Sequence, residues 1–132
     1  MINYRIVFKH WVDTLPIDEK HFKEHVDMAY RVTSKYENWE LKKIPISEIM
    51  TYIGTSLEND YFINMKVDSF IDKGLDDVPK IILIPLDHAR RKPFLEHKYD
   101  DKNIKYEPAD GIHRLFMFIK LGLKEVISYV PL

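Results

Sequence analysis

Tyr106-Glu107-Pro108-Ala109-Asp110-Gly111-Ile112-His113-Arg114-Leu115 is the stretch on which the reading of this chain turns. It joins a short apolar strand to an amphipathic helix through a sharp Asp110-Gly111 turn, with Ile112, Leu115, Phe116 and Ile119 as the helix's buried face and Gly122 as its stop. Upstream, Ile81-Ile82-Leu83-Ile84 is a continuous β-branched run opened by Val78-Pro79-Lys80, the pattern of a central strand covered on both faces. Downstream, Val126 to Val130 reads as a closing strand. A strand at Ile104 to Glu107 then lies in one sheet with Val78 to Leu86, and both are expected to bring their loops to the same end.

Working towards the N-terminus, Ile2, Tyr4, Ile6 and Phe8 alternate with polar residues, which predicts a first strand. Phe22, Val26, Ala29 and Tyr36 recur at helical spacing and predict a helix over Ile17 to Tyr36. Lys42-Lys43-Ile44-Pro45-Ile46 reads as an edge strand or strand start because of its proline. Ser56 caps a second helix that Gly74 ends, and the charged stretch 87–103 has neither period, so it reads as a long connection or flap. The fold class is α/β (α+β), a compact mixed sheet with packed helices. Residues 1–40 form a strand-helix extension and residues 41–132 the core.

The 132 residues fit one domain, and a hydrophobic share of 45% is enough to offset the ordering entropy of a globular fold. With 20 Lys+Arg against 21 Asp+Glu, no global basic field exists, so nucleic-acid contact has to come from a local patch. Zero Cys excludes disulfides, thiolate nucleophiles and Cys-ligated metals, and points to a cytoplasmic setting. The first twelve residues interrupt their apolar positions with Arg5, Lys9 and His10, unlike a signal peptide. The longest apolar run, Ile81 to Leu86, is far short of the roughly 18 to 20 residues that cross a bilayer, so no membrane is expected as partner.

The chemistry-bearing residues cluster on the Asp110 turn. A strand-to-helix turn aims backbone N–H groups and a helix dipole at one spot, the usual way to hold a phosphate. Gly111 allows close approach, and Arg114, in the first turn and off the buried face, can fork onto phosphate oxygens. His113 can donate a hydrogen bond or shuttle a proton, and Asp110 can hold a metal ion or accept a proton. The plainer alternative is that Asp110 caps a helix and His113 and Arg114 are solvated first-turn residues. His21-Phe22-Lys23-Glu24-His25 matches the His-x-x-Glu-His spacing of some zinc proteases, but it has no evident third ligand, and no catalytic zinc is expected there. Arg90, Arg91 and Lys92, with Phe94 and Tyr99 nearby, form the dense basic stretch. It is either a nucleic-acid-binding surface over the turn or a solvated loop.

Four blocks together resemble the ParB/sulfiredoxin superfamily, often labelled ParB-like nuclease domains. They are Ile44-Pro45-Ile46-Ser47-Glu48-Ile49, Val78-Pro79-Lys80-Ile81-Ile82-Leu83, Asp110-Gly111-Ile112-His113-Arg114-Leu115 and Leu121-Gly122-Leu123-Lys124-Glu125-Val126, in the family's order over roughly residues 41–132. The resemblance implies that Gly111, Ile112, His113 and Arg114 bind phosphate, with Asp110 as acidic partner. A cysteine belongs at Ile112 in sulfiredoxins, so sulfinic acid reduction is not expected. Partition proteins carry Glu-Arg-Arg after the turn glycine and a following helix-turn-helix domain, and neither is seen in these 132 residues. What remains is a phosphate-binding domain acting on DNA, either a metal-dependent nuclease or a nucleotide-responsive DNA binder. In the nuclease version Asp110 holds Mg or Mn, with Glu107 as a candidate second acid, and His113 and Arg114 steady the scissile phosphate. The alternative is a small-molecule kinase or nucleotidase gripping ATP or CTP with the same turn, and a third reading is a binding module whose first 40 residues are a partner surface.

Overall fold

In the computed structural model, which describes residues 1–15, 21–50, 80–87 and 104–132, the N-terminus departs at once from the alternation in its sequence. Only Ile2–Asn3 pair as a strand (β1), and Tyr4–Thr14 form helix α1. The residues Tyr4, Val7, Phe8, Trp11 and Leu15 satisfy a helical period as well as Tyr4, Ile6 and Phe8 satisfy a strand, and burial decides between them. Val7 and Trp11 are buried, whereas Ile6, which a strand would turn inward, is 56% exposed. Asn3 starts the helix by accepting a hydrogen bond from the Arg5 N–H at 3.0 Å.

Helix α2 runs Phe22–Thr33, shorter than its pattern suggests, and residues 16–20 lie outside the described set. The Thr33 hydroxyl donates back to the Ala29 carbonyl at 2.7 Å, and Ser34 caps the helix end. Tyr36, expected inside the helix, follows it and meets the Trp39 ring edge-on at 5.7 Å. Tyr30 joins the two helices, meeting Tyr4 and Phe8 edge-on at 6.3 and 5.6 Å.

Strand β2, Asn38–Pro45, leads through a short 3-10 turn at Ile46–Glu48, and β3 is Ile81–Pro85. Strand β4 is Tyr106–Asp110, helix α3 is Ile112–Lys120, and β5 is Glu125–Pro131. The sheet order is β1-β2-β5-β3-β4, with β3 and β5 parallel and the other neighbours antiparallel, so the fold is a mixed α/β arrangement. The middle place belongs to β5 rather than to β3, but β3 is covered on both faces as its apolar run requires. Ile81 and Leu83 pack with Ile44, Ile49, Leu115, Val126 and Val130, while Ile82 packs with Val7, Trp11, Ala29 and Trp39. Helix α3 therefore covers one face and α1 with α2 the other. The boundary expected between residues 40 and 41 falls inside β2, and the first 40 residues supply most of one core cluster. The helix expected from Ser56 to Gly74, and all of the flap beyond Asp87, lie outside the described residues.

β4 begins later than expected and continues through Pro108, which an edge strand tolerates because its outer N–H groups need no ladder partner. Since β3 and β4 are antiparallel, Asp110 lies opposite Ile82 and Tyr106 opposite Pro85. The stretch 87–103 leaves and rejoins the sheet where the Leu86 N–H donates to the Lys105 carbonyl at 2.9 Å, about 13 Å along the ladder from the Asp110 turn. The expectation that flap and turn share one end is thus corrected: reversal of chain direction puts their roots at opposite ends.

Candidate functional site

The turn after β4 is shaped by two local devices. Between Ile82 and Leu83 the register with β4 shifts, so that Leu83 faces Pro108 and Ile82 faces Asp110, leaving Ala109 as an extra residue. Simple alternation from Glu107 would send Asp110 to the α3 face; the bulge sends its carboxylate instead towards Thr14 of α1. Gly111 then takes φ 95°, a left-handed conformation that favours glycine. A Cβ there would also lie 2.6 Å from Ile81 Cγ2 and 2.9 Å from Arg114 Nη2, so close approach and backbone geometry both demand the glycine.

Helix α3 opens directly from this glycine with no side-chain cap. Its first i to i−4 bond is from the Leu115 N–H to the Gly111 carbonyl at 2.9 Å, so the N–H groups of Ile112, His113 and Arg114 precede the intrahelical ladder. This is the part of the expected phosphate turn that the backbone provides.

Arg114 departs from its expected place. It is buried, at 8% exposure, and its guanidinium turns inward around the start of β3. Nη2 donates to Asp110 Oδ2 at 2.8 Å, and Nη1 donates to the Lys80 carbonyl at 3.1 Å. The planar, fixed donors of arginine suit this two-acceptor geometry, which ties the start of α3 to the end of β4 and the entry of β3. The pair is nearly dry, with side-chain exposures of 10% for Arg114 and 18% for Asp110. The side chain is thus a strut under the turn.

Two residues of α1 complete the cluster, and the sequence reading missed both. The His10 ring is 2.8 Å from the Lys80 carbonyl through Nε2; a carbonyl only accepts, so Nε2 carries the hydrogen and donates. The other side of the ring meets Tyr129 of β5 at 5.0 Å between centroids. Thr14 Oγ1 lies 3.3 Å from Asp110 Oδ2 and 2.9 Å from the Trp11 carbonyl, and its single hydrogen serves one at a time. His10 and Thr14 stand at i and i+4, a signal visible only once residues 4–14 are read as a helix.

Among the remaining candidates, Glu107 is buried at 3% exposure in β4 and is not without a partner. The His113 backbone lies in the first turn of α3, while its side chain is outside the described set, as are Arg90, Arg91 and Lys92. His21 precedes α2 and His25 lies in its first turn, both exposed, with His21 Nδ1 at 3.6 Å from Glu24 Oε2. Among the described residues no group of three or more His, Asp or Glu side chains is placed to hold a metal ion, and no helix is long and apolar enough to cross a membrane.

Across the described residues the turn is thus a left-handed glycine, an uncapped helix start and a braced arginine–aspartate pair, contributed to by both the first 40 residues and the rest. Compared with family models, curated proteins and solved structures, the chain matches none.

Proposed function

We propose that the Asp110–Arg114 turn binds a phosphate group, presented by a nucleotide or by the DNA backbone, in keeping with the ParB-like motif that residues 110–115 resemble. The observation that carries the reading is the uncapped start of α3 on left-handed Gly111, which leaves the N–H groups of Ile112, His113 and Arg114 outside the helical ladder. Those backbone donors are the phosphate contacts. Arg114 acts underneath them, holding Asp110 and the Lys80 carbonyl and lending its charge to the site from within. The Asp110 carboxylate balances that charge, so the turn favours an anion chiefly through its backbone N–H groups and the helix dipole.

Mg or Mn takes several oxygen ligands. In the described cluster Asp110 Oδ2 already accepts from Arg114, and Glu107 is engaged, so a divalent ion would have to compete for these oxygens, and the phosphate contacts proposed do not depend on one. The reading is therefore one of binding, with DNA or nucleotide as partner.

Titration of the labelled protein with inorganic phosphate, ATP, CTP and a short DNA duplex, each with and without Mg, followed by amide chemical shifts, tests it. The expected result is saturable movement concentrated at Gly111, Ile112, His113 and Arg114 for at least one ligand. No saturable binding by any of them, or movement confined to other residues, would overturn the reading.

A further inference from the structure

Two acceptors hold the Arg114 guanidinium, and α1 reaches both. The Lys80 carbonyl takes Arg114 Nη1 at 3.1 Å and His10 Nε2 at 2.8 Å. Asp110 Oδ2 takes Arg114 Nη2 at 2.8 Å, with the Thr14 hydroxyl 3.3 Å away. A carbonyl oxygen has two lone pairs, so one donor on the Lys80 oxygen leaves the other lone pair aimed where the guanidinium stands. Of the two α1 contacts, His10 makes the shorter. Its ring is also confined by Tyr129 at 5.0 Å, which makes it an ordered donor.

We infer that His10 is a positioning residue for the phosphate turn: through the Lys80 carbonyl it fixes the Arg114 guanidinium, and through that the Asp110–Gly111 backbone. The chain of contacts crosses from α1 to the entry of β3 and on to the start of α3, so the N-terminal helix is part of the site's support. The ligand arm of this inference rests on the phosphate reading; the structural arm does not.

The test follows the Arg114 Nε–H signal in ligand-free protein, together with titration of inorganic phosphate, in His10→Ala, His10→Gln and His10→Asn. Glutamine places an N–H close to the position of Nε2, whereas asparagine is too short. In the unaltered protein the Arg114 signal should be sharp and slow to exchange with water. In His10→Ala exchange should rise at least about tenfold and phosphate should bind about tenfold more weakly, the scale of one lost hydrogen bond. His10→Gln should restore both to within about twofold, and His10→Asn should restore neither. A residue that merely anchored α1 would change the melting temperature without this selective rescue. Should His10→Ala fail to fold, the contrast between Gln and Asn decides. An Arg114 signal unchanged in His10→Ala and His10→Asn overturns the inference. A loosened Arg114 with unchanged phosphate affinity also overturns it, by cutting the link to the turn. If the unaltered protein binds no phosphate while Arg114 still loosens and is rescued, the phosphate reading falls and the positioning role stands.

Discussion

Strand β4 has an ion pair at each end, and the two are nearly equal in length. Asp110 meets Arg114 at 2.8 Å, and Lys105, just before Tyr106, meets Glu48 at 2.9 Å. Their surroundings differ: the Arg114 and Asp110 side chains are 10% and 18% exposed, whereas Lys105 is 64% exposed. Contact distance therefore ranks them as equals, and solvent does not. Water screens the outer pair and solvates Lys105 well if the pair breaks. At the inner end a broken pair leaves a charge that water reaches poorly, and loss of Arg114 leaves the Lys80 carbonyl to His10 alone.

The sharpest way to break this comparison is Arg114→Ala. Removing one partner of a buried pair should lower stability by roughly 3–5 kcal/mol, read from urea midpoints at constant m. Asp110→Ala alone should also be costly, and the double variant should cost less than the sum of the two by about 1–3 kcal/mol, because the orphaned charge is gone. A loss for Arg114→Ala of about 0.5 kcal/mol or less, the scale of an ordinary surface change, would make the two ends of β4 equivalent after all.

Next in size is Gly111→Ala, which should cost about 2–4 kcal/mol. The left-handed backbone contributes about 1–2 kcal/mol and crowding against buried Ile81 most of the rest. Its Cβ would also press on Arg114 Nη2, so the Arg114 Nε–H signal should shift along with the melting temperature. A destabilised variant with an unmoved Arg114 would separate the turn from the pair.

Much of this arrangement was legible beforehand, and the misses have definite causes. The mixed α/β class, the doubly covered β3 run, the Asp110-Gly111 turn and the final strand follow from patterns in which one period clearly wins. Residues 2–8 fit two periods, and only the depth of Val7 and Trp11 against the exposure of Ile6 separates them. Helical position puts Arg114 off the Ile112, Leu115, Phe116 and Ile119 face and so predicts a side chain open to phosphate; what turns it inward is a pair of acceptors, Asp110 and the Lys80 carbonyl, that are thirty residues apart in the chain and meet through the β3–β4 ladder. The flap's root was misplaced because the sequence shows two strands in one sheet without showing their relative direction. His10 was hidden twice over, by the wrong period and by a partner that is a backbone carbonyl rather than a side chain.

Gly122 provides a smaller test at the other end of α3. It too has a left-handed backbone, φ 78°, but a Cβ there would meet nothing within 4 Å. Gly122→Ala should therefore cost only the backbone strain, about 1 kcal/mol, in part offset by the lower entropy of the unfolded chain. Against Gly111→Ala, it isolates how much of the loss at the inner turn comes from crowding. Equal losses at the two positions would mean that Ile81 and Arg114 move aside without penalty.

The smallest effect should come from Lys105→Met, at the outer end of β4. The Glu48 carboxylate, by hydrogen bond and by charge, raises the Lys105 pKa above its ordinary 10.5, while partial burial opposes the shift. A lysine whose folded pKa is raised contributes stability that is fully present below its unfolded pKa and is lost as pH rises through the folded one. Any contribution of Lys105 is therefore constant from neutral pH to about 10 and fades only in stronger alkali, while salt weakens it throughout. Melting curves of Lys105→Met and the unaltered protein should nearly coincide at pH 7, and the small gap should close with added NaCl. Arg114→Ala should keep most of its deficit under the same salt, because ions do not enter the dry inner pair. A Lys105→Met deficit that is large and indifferent to salt would show the outer pair to be shielded in solution, and the contrast between the two ends of β4 would then rest on something other than burial.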